Sequence, residues 1–170
     1  MSNDKSLEDA IGELFGESNE NQLYMIVDID GTIAELGDRL KCIEEEPKDY
    51  DQFFKRCGED TPIAETIALV ETLDKNLKIV TVFCTGRPES VRDITVEWLG
   101  NNVKISEYKL LMRPDDTLGE IHDTEVKTKL MDDNGINVNN TLFILEDRNV
   151  MVKHFRDKGY KVLQVRDGDF

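Results

Sequence analysis

Short apolar runs recur near residues 23–28, 78–84, 108–112, 141–146 and 161–165, each of a length that suits a buried strand. Between them lie segments with helical spacing, at about 62–75, 88–100, 123–134 and 148–158. Pro62 and Pro88 fall where a first-turn proline is tolerated, and Gly100, Gly135 and Gly159 fall where helices tend to end. In the first helical segment Ile67, Ala68 and Leu73 mark an apolar face alongside Glu65 and Glu71. Helices alternating with strands predict an α/β fold with a parallel sheet. Ligands bind such sheets outside the carboxyl ends of the strands.

Chemistry-bearing residues gather where that edge is expected. The first run ends in Asp28, Ile29, Asp30, Gly31 and Thr32, which places two carboxylates two residues apart before a glycine turn. Strand side chains repeat every two residues, so both acids leave the sheet edge on one side. An Asp-Gly dipeptide is also a common surface turn. Three further clusters favour chemistry over that reading: Thr85, Gly86 and Arg87; Lys127; and Glu146 with Asp147. Three of the four clusters follow directly from an apolar run, so all four are expected to converge at one sheet edge.

These motifs resemble those of the haloacid dehalogenase superfamily of phosphohydrolases, which implies a Rossmann-like parallel sheet flanked by helices. A closer likeness is to the 3′-phosphatase domain of phage polynucleotide kinase. It rests on Arg39 eleven residues after Asp28, on Thr85, Gly86 and Arg87, on Asp123 four residues before Lys127, on Glu146, Asp147 and Arg148, and on the closing run from Gln164 to Phe170. The likeness covers residues 23 to 170. It departs at Glu146, where the relatives carry Asp, and this leaves open whether Glu146 or Asp147 reaches a metal directly.

The resemblance implies a Mg2+-dependent phosphatase, and the chemistry accounts for the residue types. A phosphate monoester repels an anionic attacker unless a cation neutralises both, and Mg2+ held by carboxylates does so. Asp28 is expected to attack phosphorus and form an aspartyl-phosphate, and Asp30 to act as general acid and then base. Thr85 and Lys127 are expected on the phosphate oxygens, and Asp28, Asp30, Glu146 and Asp147 around the metal. Gly86, Arg87, Arg39 and Asp123 complete the expected substrate-binding set. Arg39 enters through the resemblance, since Glu35 and Asp38 nearby offer it alternative partners. Asp123 reads from its position as a helix N-cap, and the resemblance adds a role in orienting Lys127 or an arginine.

Composition narrows the picture. The 170 residues, 39% hydrophobic and 34% charged, suit one domain. They form an acidic lead-in over 1–20 and a phosphatase domain over 21–170, with a small cap insertion at about 33–61. In the lead-in Asp4, Glu8, Asp9, Glu13, Glu17 and Glu20 face Lys5 alone, and Leu7, Ile11, Leu14 and Phe15 have the spacing of a short amphipathic helix, with a frayed tail as the alternative. Tyr50, Phe53 and Phe54 in the insertion read either as a satellite core or as an apolar wall beside the leaving group. Cys42, Cys57 and Cys84 lack disulfide or zinc spacing, and His122, His154 and Trp98 read as structural. There is no long apolar run, no leader and no Gly-x-x-x-x-Gly-Lys-Ser/Thr loop. A cytoplasmic setting, no membrane partner and no linked kinase are therefore expected. The formal charge of −15 opposes binding along a nucleic-acid backbone. The expected partner is a 3′-phosphorylated nucleic-acid end or nucleotide gripped at its terminus. The alternatives are a phosphatase of mononucleotides or small esters, and a noncatalytic binding domain on the same fold.

Overall fold

The computed structural model describes residues 22–168 except 45 and 120. The acidic lead-in of residues 1–20 lies outside the described residues. In chain order the elements are β1 (Leu23–Val27), β2 (Ala34–Glu35), α1 (Lys41–Glu44), α2 (Tyr50–Lys55), β3 (Thr61–Pro62), α3 (Ala64–Asn76) and β4 (Ile79–Pro88). They continue with α4 (Arg92–Asn102), β5 (Tyr108–Arg113), α5 (Asp123–Asp133), β6 (Thr141–Arg148), α6 (Asn149–Asp157) and β7 (Val162–Gly168).

Five strands form one parallel sheet in the order β5-β4-β1-β6-β7. The central strand β1 alternates its side chains between two cores. Met25 and Val27 join Phe83 and Leu145 beneath Ile67 and Val70 of α3 and Trp98 and Leu99 of α4. Ile26 joins Val82 and Ile144 beneath Met131 of α5 and Met151, Val152 and Phe155 of α6. The chain leaves β1 for β4 on one side and later fills β6 on the other. The crevice at the carboxyl end of β1 is therefore the switch point where such sheets bind ligands.

Several boundaries differ from the sequence expectation. Pro62 is paired with Ala34 in the small β2–β3 ribbon, so α3 begins two residues later, at Ala64. Pro88 closes β4, which runs past the apolar stretch through Thr85, Gly86 and Arg87. Gly100 lies inside α4, because the helix continues far enough for the Val103 amide to reach the Leu99 carbonyl and for both side chains to be buried. Gly135 and Gly159 do follow their helices, with φ of 71° and 92°, in the left-handed region that favours glycine.

In the insertion, the Phe53 and Phe54 rings pack edge to face at 5.1 Å. Phe54 also rests on a small cluster of Cys57, Val91 and Met112, while Phe53 lies 4.4 Å from the Arg39 guanidinium carbon. These two rings therefore support the protein interior, and Tyr50 is left exposed. Among the described residues no helix is long and apolar enough to cross a membrane.

Candidate active site

The Asp28 amide extends the β1 ladder by one bond, donating to the Leu145 carbonyl at 3.0 Å. The chain then folds back sharply, with the amides of Thr32, Ile33 and Ala34 all aimed at the Ile29 carbonyl. Gly31 makes that turn at φ 84°, a conformation costly for other residues. The turn leaves the Asp28 carboxylate buried at the sheet edge, where the Thr32 hydroxyl donates to it at 3.2 Å.

Lys127 reaches this edge from α5, 99 residues away in sequence. Its Nζ donates to Asp28 Oδ1 at 2.6 Å and to Glu146 Oε2 at 2.8 Å. Burial alone would lower the lysine pKa, but Asp28 and Glu146 outweigh it and hold the ammonium charged. Burial pushes the Asp28 carboxyl well above the ordinary carboxylate range, and the neighbouring Glu146 adds to the shift. Burial likewise raises Asp147, with Glu146 beside it, to about 7. Three acids around one lysine leave an excess of buried negative charge.

Glu146 and Asp147 divide their work differently. Glu146 Oε2 holds Lys127, and Oε1 accepts the amides of Asp147 and Arg148 at 3.2 Å each, which fixes the end of β6. Asp147 Oδ1 accepts from the Thr32 hydroxyl at 3.3 Å, whereas Oδ2 is buried without a partner. That oxygen lies between two glycines. A Cβ at Gly168 would sit 2.7 Å from Oδ2, and one at Gly31 would collide with it. Oxygens of Asp28, Glu146 and Asp147 lie within 4.8 Å of one another. An all-oxygen acidic pocket with one orphaned carboxylate oxygen fits a hard divalent cation such as Mg2+. Gly168→Ala should therefore displace the Asp147 carboxylate and raise the Mg2+ concentration for half-maximal activity by about tenfold or more, the scale for disturbing a ligand's support.

Asp30 is not part of this acidic cluster, contrary to the expectation that it shares the metal. Its carboxylate lies in a network of buried arginines. Arg87 donates to Asp30 Oδ1 from Nη2 at 2.7 Å and to Oδ2 from Nε at 3.1 Å, and Arg39 Nη2 also donates to Oδ1. On their other side both arginines hold Asp60: Arg39 Nε and Nη2 at 2.6 Å each, and Arg87 Nη2 at 2.8 Å. The Arg39 and Arg87 side chains are 1% and 0% exposed, so the direct substrate contacts expected of them give way to this internal clamp. Burial would raise Asp30, but Arg87 and Arg39 outweigh it and bring the pKa down to about 2. For Asp60 burial prevails over the pull of Arg39 and raises the pKa to about 6.

The second motif and α5 meet at the edge of this site. Thr85 is buried, and its Oγ1 accepts the Arg87 amide at 3.1 Å, which leaves the hydroxyl proton to donate elsewhere. Gly86 allows close approach, since a Cβ there would lie 3.3 Å from Asp123 Oδ1. Asp123 is not the N-cap. His122 holds that position, its Nδ1 accepting from the Thr124 amide, and the Asp123 carboxylate instead joins Arg113 at the end of β5 to Arg148 at the end of β6. Two guanidinium groups outbid a backbone amide for one carboxylate.

The titrating acids make a testable prediction for the metal-free protein. Asp147 and Asp60 have folded pKa values raised from 3.8 to about 7 and about 6, so the folded state binds extra protons above pH 4 and loses stability as pH rises through those values. Asp30 is lowered from 3.8 to about 2, so its contribution is present above pH 4 and is lost as pH falls toward 2. Metal-free melting temperatures should peak near pH 4 to 5, and saturating Mg2+ should flatten the decline toward pH 8.

A buried aspartate at the switch point, a lysine held against it and an acidic cation pocket make this a phosphatase of the haloacid dehalogenase type. The model of one family, the polynucleotide kinase PNKP phosphatase domain, matches residues 22–170. The chain belongs to that family. Among solved structures it is similar to a chain of the Pnkp1/Rnl/Hen1 RNA repair complex, with 24% identity, a TM-score of 0.72 and coverage of 90% of this chain but 45% of that one. A second Pnkp1/Rnl/Hen1 complex gives 24% identity and a TM-score of 0.70, with 90% and 49% covered. The chain therefore spans about half the length of these relatives. It shares its fold with a HAD family enzyme of Bacteroides thetaiotaomicron solved with magnesium and inorganic phosphate, at 14% identity, a TM-score of 0.55 and coverage of 88% and 96%. No curated protein matches the chain.

Proposed function

We propose that the chain hydrolyses a terminal 3′-phosphate of DNA or RNA through an aspartyl-phosphate on Asp28, in a cytoplasmic setting. Asp28 is the nucleophile, because its carboxylate lies at the carboxyl end of the central strand, against Lys127 and in the acidic pocket, whereas Glu146 is engaged by Lys127 and by the amides of Asp147 and Arg148. Lys127 and the Thr85 hydroxyl hold the phosphate oxygens on which charge develops. Bound Mg2+ would neutralise the phosphate and the attacking carboxylate, held by Asp28 and by the orphaned oxygen of Asp147, while Glu146 steadies Lys127 and the end of β6. Asp30 is ionised in the free site. A phosphate dianion beside it opposes the arginine clamp and raises its pKa, so that Asp30 carries a proton to the leaving oxygen and then takes one from the attacking water.

The observation that carries the strand-end reading, within a family named for polynucleotide kinase, is the Arg113–Asp123–Arg148 fork beside Gly86. Two guanidiniums sharing one carboxylate leave one positive charge over, at the site edge of a protein with formal charge −15. That charge suits a neighbouring phosphodiester rather than a long backbone track. The test is phosphate release from 3′- and 5′-phosphorylated oligonucleotides, 3′- and 5′-mononucleotides and an aryl phosphate. Activity should rise from a 3′-mononucleotide to a short oligonucleotide and then plateau. Arg148→Ala should cost about tenfold more on the oligonucleotide than on the aryl phosphate, the scale of one charge-assisted contact. Arg39→Ala should cost both substrates alike, because its side chain serves Asp30. Equal turnover of 5′-mononucleotides with no gain from added nucleotides would favour the small-ester phosphatase instead.

A further inference from the structure

A half-exposed arginine of β7 is held by a carboxylate from far along the chain. Arg166 Nη1 donates to Glu35 Oε2 at 2.6 Å across 131 positions, and the two side chains are 37% and 50% exposed. Exposed ion pairs elsewhere, such as Lys55 with Asp51 and Lys153 with Asp157, join residues one turn apart in a single helix. This pair spans the mouth of the site instead. Glu35 closes β2, just after the turn in which the Gly31 amide donates to the Ala34 carbonyl at 2.8 Å, and Arg166 stands two residues before Gly168 in β7. Gly31 and Gly168 both lie against the Asp147 carboxylate, so the ion pair joins the two walls of that cradle on its solvent side.

Arg166 also has a neighbour of its own sign. Arg148 is the register partner of Gly168, which sets its Cα about 8 Å from that of Arg166, one strand spacing across and two residues along. Two such side chains can reach consecutive phosphates of an extended single strand. We propose that Arg166 binds a second phosphodiester of the substrate, one nucleotide beyond the phosphodiester that the Arg113–Asp123–Arg148 fork suits, and that Glu35 holds its place until the strand arrives. The inference rests on the strand-end reading above and extends its footprint to three nucleotides.

The chemistry of Glu35 suits that role. A carboxylate presents oxygens to a guanidinium much as a phosphodiester does, so Glu35 keeps Arg166 extended over the mouth in the free protein. An exposed ion pair contributes little net energy, so exchanging Glu35 for a phosphate costs little, and Glu35 is exposed enough to turn out into water. One anion then replaces another. That exchange avoids leaving a bare cation at the mouth of the free site, and it gives the strand a contact that a lone phosphate ester cannot use.

The test compares kcat/KM of the full chain for 3′-phosphorylated dinucleotides and trinucleotides, which contain one and two phosphodiesters. The wild-type protein should favour the trinucleotide about threefold, the scale of an exposed charge contact. Arg166→Gln should bring that ratio to about one, whereas Glu35→Gln should raise it by a further two- to fivefold or so, because the arginine is then unguarded. The opposite signs separate a guarded binding residue from a simple fastening of β2 to β7. A fastening would move both variants the same way on every substrate and lower both melting temperatures alike. That result would overturn the assignment, as would a wild-type ratio near one or a ratio that both variants leave as it is. The strand-end reading fails on a different comparison, 3′-mononucleotide against dinucleotide, so the two failures are read from separate ratios.

Discussion

Asp28→Asn should reduce phosphate release by at least about ten-thousandfold, the scale for removing a catalytic nucleophile, while the melting temperature holds or rises. The two outcomes share one cause. Asp28 is buried with Glu146 and Asp147 around a single Lys127, so its charge is costly to the metal-free fold. Asparagine keeps the shape, relieves the repulsion and leaves Lys127 its bond to Glu146. Activity near the wild-type level would remove Asp28 as the nucleophile. A marked fall in melting temperature would show instead that the Lys127 contact outweighs the crowding.

Asp60→Ala should cost about 3 kcal/mol of stability, the scale for stranding buried cations by removing one partner. It should also lower kcat more than it raises KM, although Asp60 touches none of the reacting groups. Arg39 and Arg87 each bridge Asp30 to Asp60, and the Asp60 carbonyl accepts the Trp98 indole N–H at 2.8 Å. Asp60 thereby ties the Asp30 clamp to the core. Losing it frees both arginines to swing and blurs the position of Asp30. The pH profile of kcat should shift as well, because Asp30 is held near 2 by Arg87 and Arg39 and a loosened clamp lets it rise. Asp60→Asn should fall between wild type and alanine, retaining hydrogen bonds without the charge. An unchanged pH profile would reduce Asp60 to a packing role.

The central strand and its chemistry were legible because they obey short periods. An apolar run, two acids at a spacing of two and a glycine mark β1 and Asp28 without help from the rest of the chain. The convergence of Lys127, Glu146 and Asp147 followed from the general rule for parallel sheets. The partners of Arg39, Arg87 and Asp123 were less legible, for a shared reason. Each is a charged residue near the site, and its partner is set by three-dimensional proximity: Arg87 meets Asp30 across 57 positions and Asp123 meets Arg148 across 25. Asp60 left no local signal, since it follows Gly58 and Glu59 in what reads as an ordinary polar loop. Gly168 stood within the closing run, but its purpose appears only once Asp147 Oδ2 is seen pressed against it. The helix boundaries at Pro62, Pro88 and Gly100 were missed because burial of Leu99 and Val103 and pairing in β3 and β4 override the local preferences of proline and glycine.

The cradle around Asp147 is closed by one glycine from the turn after β1 and another from the far end of β7. During synthesis Asp28, Lys127 and both acids of β6 emerge before Gly168 can take its place. A nascent chain in which β7 has not yet paired holds all of these side chains and still lacks one wall of the cradle around Asp147. The last strand of the sheet thus completes the enclosure of a carboxylate that belongs to its neighbour.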